Sequence, residues 1–72
     1  MENLNTELRS WLFKNKKNQL DLAQYAGVTV QTVGRWLRLV DPHKPDKKNA
    51  ISIQNFTGGD IKATDIDPSY KD

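Results

Sequence analysis

Apolar residues recur along this chain at helical rather than strand spacing. Leu4, Leu8, Trp11 and Leu12 fall at i, i+4, i+7 and i+8, one stripe of an amphipathic helix. Asn5 is a suitable N-cap for it, and Glu7 lies near the positive end of its dipole. The run Lys14-Asn15-Lys16-Lys17 ends the stripe as a polar, basic connector. Asn18 then offers a second N-cap, with Asp21 three residues later and Leu20, Leu22 and Ala23 turned inward. Gly27 closes this second helix, as glycine does where the capping residue must take a positive φ.

The stretch Val28-Thr29-Val30-Gln31-Thr32-Val33 is rich in β-branched residues and begins by alternating, as a strand would. The alternation breaks at Val33. Helical spacing fits better, because Val33, Trp36, Leu37 and Val40 lie at i, i+3, i+4 and i+7, with Thr29 as N-cap. The opposite face then carries Gln31, Arg35 and Arg38. Asp41-Pro42-His43-Lys44-Pro45 reads as a loop, since its prolines oppose helix continuation. A fourth helix opens at Pro45 or Asp46 and runs to about Thr57, with Ala50, Ile51, Ile53 and Phe56 apolar. Gly58-Gly59 stops it, and a short extended piece around Ile61 leads to a final turn near Thr64. The pattern predicts an all-α domain of four to five helices over residues 1–68, with a frayed tail at 69–72. Trp11 and Trp36 belong to apolar stripes and are expected in the core.

Composition narrows the setting. At 72 residues there is one domain and one small core. The chain has no cysteine, which excludes disulfides and suits a reducing compartment. No apolar run approaches the roughly 18 residues of a membrane span, and the N-terminus lacks the pattern of a signal peptide. A cytoplasmic protein is expected. The net charge is only +2, but it is unevenly spread. Between Arg9 and Lys48 nine basic residues face Asp21, Asp41 and Asp46, whereas Asp60 to Asp72 carries four acids against Lys62 and Lys71. A basic body with an acidic tail suits a polyanionic partner.

Two short helices joined by a three-residue turn containing glycine are the layout of a helix-turn-helix, here over about residues 19–38. In Gln19-x3-Ala23-x3-Gly27-x5-Val33-x2-Trp36, alanine lets the two helices approach, glycine makes the turn, and valine and tryptophan fill the angle between them. These residues resemble the lambda Cro and repressor type of helix-turn-helix. Further on, Thr57-Gly58-Gly59, then Ile61 and Thr64-Asp65-Ile66-Asp67-Pro68, is similar to the C-terminal half of YdaS and Cro-like phage regulators, so that the likeness covers roughly residues 8 to 68. The Asp41–Pro45 loop is longer than in that family, and Val30 is apolar where many relatives carry a polar residue.

The resemblance implies a phage or prophage repressor, in the cytoplasm of a bacterial host, that binds a two-fold operator as a homodimer. The third helix would enter the major groove. Carried over by position, Val30, Gln31, Thr32 and Arg35 face the bases: glutamine suits adenine, arginine suits guanine, and valine or threonine suits a thymine methyl. Gln19, Lys16, Lys17, Arg38, Lys44, Lys47 and Lys48 would contact phosphates. Plainer roles compete: Val30 as a staple to the core, Gln31 and Arg35 as solvated residues, Arg38 as complement to a helix dipole, Gly34 as a stray helix glycine. Phe56, Ile61 and Ile66 are the loose candidates for a dimer surface.

Catalysis finds no support in the motifs. There is no cysteine nucleophile, no His/Cys cluster at metal spacing and no phosphate-cradling glycine loop, and His43 stands alone between prolines. No cofactor, metal or small-molecule ligand is expected. Two other readings remain: an excisionase or MerR-like architectural protein, which would follow the motif with a β-hairpin wing, and an antitoxin or protein-interaction domain using the same helices.

Overall fold

The computed structural model describes residues 4–38 and 43–70. These residues form five helices: α1 (Leu4–Lys14), α2 (Gln19–Ala26), α3 (Val30–Trp36), α4 (Lys47–Phe56) and α5 (Ala63–Ile66). The described residues form no strand, so the β-branched run from Val28 to Val33 is helix from Val30 onward. Helix α2 packs against both α3 and α4, and α4 packs against α5.

The core is drawn from every helix or its flank: Leu8 and Leu12 of α1, Leu22 and Ala23 of α2, Val33 and Trp36 of α3 with Leu37 beside them, Ile53 of α4, and Ile61 before α5. Each of the leucine, isoleucine and valine side chains among them contributes about 1.5–3 kcal/mol when fully withdrawn from water. Pro45, at the end of the loop, is also fully buried. Trp36 is a core residue as expected, while Trp11 is only half-buried, with its indole Nε1 donating to Asp60 Oδ2 at 2.8 Å. Val40, Asp41 and Pro42 lie outside the described residues.

Several expectations are corrected. Asn5 is the second residue of α1, not its N-cap, and it is buried. It shares a face with Leu8 and Leu12, and that face meets the end of α3. Leu20 is half-exposed rather than inward, because α2 turns Gln19, Leu22, Ala23 and Ala26 to the inside at i, i+3, i+4 and i+7. Helix α3 ends at Trp36 with Leu37 as its cap, short of Arg38. Around Ile61 the chain is a turn and not an extended piece. The buried Thr57 hydroxyl accepts from Ile61 N at 3.1 Å and lies 3.3 Å from Ile61 O, folding the chain back on itself. Ser69 N donates to Asp67 Oδ1 at 3.0 Å and the half-buried Tyr70 donates its N–H to Asp67 O at 2.8 Å, so residues 69 and 70 form a hydrogen-bonded turn, and Lys71 and Asp72 lie outside the described residues.

The proposed dimer candidates fare no better as open surface. Ile61 is buried, and Phe56 and Ile66 pack on the core. Phe56 also lies 5.4 Å, ring centre to ring centre, from both Trp11 and Tyr25.

Candidate nucleic-acid interface

Helices α2 and α3 form the helix-turn-helix, and short-range capping fixes both ends of α2 and the start of α3. Asn18 and Asp21 make a reciprocal capping box at the start of α2, at 2.8 and 3.0 Å. At the other end Gly27 takes φ 72°, and its N–H and that of Val28 both return to Ala23 O. A residue with a Cβ is strained in that conformation. Thr29 then caps α3, its Oγ1 accepting from Thr32 N at 3.2 Å. Inside the angle, Gln19 Oε1 lies 3.7 Å from where a Cβ at Gly34 would stand, so the Gln19 side chain rests against α3.

The far end of α3 is held by α1 through two side chains one turn apart. Asn5 Nδ2 donates to Arg38 O at 2.8 Å, and Arg9 donates to Leu37 O through Nε at 3.1 Å and Nη2 at 2.8 Å. The carbonyls at a helix C-terminus lack intrahelical donors and carry partial negative charge, which suits a guanidinium. The chain beyond the loop adds His43 N donating to Arg35 O at 3.0 Å. Helix α3 is therefore capped at its start by its own threonine and anchored at its end by α1. None of the interactions that place Asn5 and Arg9 is signalled locally in the sequence, since their partners lie 33 and 28 residues away.

The residues expected to face bases divide. Val30, Gln31 and Arg35 are exposed, with Gln31 and Arg35 one turn apart on the same side of α3. Val30 is 41% exposed, which does not suit a core staple. Thr32 is half-buried, and its hydroxyl lies 3.0 Å from that of Thr29. Arg38 lies beyond the end of α3, so it does not extend the Gln31–Arg35 face as helical spacing would.

The expected phosphate contacts divide as well. Lys16 and Lys17 are exposed in the α1–α2 turn beside the start of α2, and Arg38 is exposed. Lys47 and Lys48 are exposed in the first turn of α4, behind Asp46, whose Oδ1 accepts from Asn49 N. Cations there oppose the helix dipole, at a cost of up to about 1 kcal/mol each, so helix stability does not explain them. Gln19 is half-buried against α3 rather than projecting freely. Lys44, unlike the other lysines, is engaged within the fold: its ammonium pairs with Asp67 and lies 5.5 Å above the Tyr70 ring. The lysine beside Asp67, helped by bonds from the Ser69 backbone and hydroxyl, holds that carboxyl down at about 2. The same pair raises the Lys44 ammonium.

The other side of α1 borders an open groove of about 360 Å³ lined by Glu7, Trp11, Lys14, Asp60 and Asp65 among others. Two of its carboxylates have local duties, since Asp60 accepts from Trp11 and Asp65 accepts from Lys62 N. Among the described residues no group of three or more His, Cys, Asp or Glu is placed to hold a metal ion, and no helix is long and apolar enough to cross a membrane. No family model, curated protein or solved structure matches this chain.

Proposed function

We propose that this protein binds double-stranded DNA sequence-specifically and regulates transcription, as a Cro-like repressor would, rather than carrying out catalysis. One observation carries the reading. A short helix is capped and anchored at both ends while presenting Val30, Gln31 and Arg35 to solvent, and exposed cations stand before the start of α2 (Lys16, Lys17) and in the first turn of α4 (Lys47, Lys48). No ion pair involves Arg35 or those four lysines among the described residues. Holding the reading helix in place removes the cost of ordering its backbone on binding, and unpaired cations suit DNA phosphates.

A single module of this size covers one half-site, so tight specific binding calls for a homodimer on a two-fold operator. A bacterial cytoplasm, with the gene carried by a phage or prophage, fits this role. The winged architectural alternative is disfavoured because residues 47–56, where the hairpin wing would follow, are helix α4. The test is selection from a pool of random duplexes. Enrichment of one two-fold site, with half-sites about 34 Å apart, is expected. Absence of retention at low salt would contradict the proposal and favour a protein partner.

A further inference from the structure

Phe13 is 86% exposed, an unusual placement for a phenylalanine in so small a domain. It lies off the stripe that buries Leu8 and Leu12, so the fold does not need it. The charged residues that line the groove beside it are of one sign. The groove beside the ring, about 290 Å³, is bounded by Arg9 and Lys17, floored by Leu12 and Leu37, and reaches Gln19, with no acid among its lining residues. Lys14 and Lys16 lie on the same turn.

These groups are also held in place. Lys17 N donates to Leu12 O at 2.9 Å and Lys16 N to Phe13 O at 3.3 Å, which closes the turn around the ring's own backbone. Arg9 is fixed through Nε and Nη2 to Leu37 O, leaving its other N–H groups for a second acceptor. The groove shares Gln19 and Leu37 with the helix-turn-helix, one resting on Gly34 and the other capping α3.

We infer that Phe13, Lys17 and Arg9 form an auxiliary contact to the DNA backbone beside the start of α2, the ring packing on deoxyribose while the two cations meet the flanking phosphates. A nucleic-acid strand alternates an apolar sugar with an anion, and this groove alternates an apolar ring with cations. The inference rests on the DNA-binding reading above and extends it to a face of α1 outside the helix-turn-helix.

The experiment titrates wild type, Phe13→Ala, Lys17→Gln and Arg35→Ala against the selected site and a random duplex across a salt series. Sedimentation without DNA accompanies it, and melting curves confirm folding. Phe13→Ala should weaken both duplexes roughly tenfold, as loss of part of a buried ring implies, with the salt slope unchanged. Lys17→Gln should weaken both and reduce the slope by about one unit. If Phe13→Ala binds both duplexes like wild type while Arg35→Ala loses site preference, the auxiliary contact is wrong and the DNA-binding reading stands. If Phe13→Ala changes the oligomeric state without DNA, the ring meets a second copy instead, and the inference falls. A wild type that retains no duplex overturns both readings together.

Discussion

Helices α1 and α4 end in the same hydrogen-bonded turn, built on different residues. In α1, Asn15 N returns to Trp11 O, Lys16 N to Phe13 O and Lys17 N to Leu12 O; in α4, Thr57 N returns to Ile53 O, Gly58 N to Asn55 O and Gly59 N to Gln54 O. The two sets match bond for bond, with distances between 2.9 and 3.3 Å. Both are Schellman turns, whose central residue must be left-handed. Gly58 fills that position in α4 with φ 63°, whereas in α1 it is Lys16 with φ 55°. A left-handed residue with a Cβ costs roughly 1–2 kcal/mol. The α4 turn has the residue that stability favours. The α1 turn gives up that stability and keeps a cation beside Phe13, Lys17 and the start of α2. Departures from local preference concentrate at functional sites, and this one falls on the face proposed to meet DNA.

The largest expected effect comes from making the favourable turn resemble the costly one. Gly58→Val should destabilise the fold by about 2 kcal/mol, because a β-branched residue tolerates positive φ poorly. Apart from its chain neighbours nothing lies within 4 Å of where a Cβ at this glycine would stand, so backbone strain alone is responsible. A thermal melt should show a drop of roughly 10 °C for a domain this size. An unchanged melt would mean that the turn does not constrain the chain.

The reverse exchange has a smaller effect of opposite sign. Lys16→Gly should stabilise the protein by about 0.5–1 kcal/mol, the relieved strain being partly offset by the greater freedom of glycine when unfolded. The same variant should lose about one unit of salt slope in DNA binding. Gain in one measurement with loss in the other is the signature of a lysine kept for contact. A gain in stability with no change in binding would assign Lys16 to the connector alone.

The C-terminal tail is held by charge, unlike either turn, and gives the smallest effect. The folded Asp67 carboxyl titrates at about 2 against its ordinary 3.8, so its contribution is present above about pH 4 and is lost as pH falls toward 2. Lys44, raised above 10.5, keeps its contribution below that pH and loses it only at higher values. Both groups face solvent, which screens the pair. Melting temperature should therefore be flat with respect to this pair between about pH 4 and 10, with a slight acid decline that Asp67→Asn removes. An acid decline of equal size in that variant would place the titration elsewhere.

The helix-turn-helix was readable from the sequence because its determinants act over three or four residues. Asn18 with Asp21, Gly27, and Thr29 with Thr32 each satisfy a backbone group within their own turn. What could not be read depends on distance or on phase. Asn5 and Arg9 look like a cap and a surface cation until the ends of α1 and α3 are brought together, 33 and 28 residues apart in sequence. Leu20 looks apolar and therefore inward, but an eight-residue helix has too few repeats to fix its phase, and Gln19 takes the inner position. Lys44 appears free for phosphate because the sequence does not reveal that Asp67 folds back onto it. Nothing marks Lys16 as left-handed, since lysine carries no such preference.

The central claim is that α3 reads bases, and Arg35 tests it most directly. Arg35→Ala should be titrated against the selected site and a random duplex at matched salt. The account predicts a loss of about 1–3 kcal/mol on the selected site, relaxed preference at one base pair, and a smaller loss on random DNA. Equal losses on both duplexes would make Arg35 a phosphate contact and contradict the placement of α3 in the major groove.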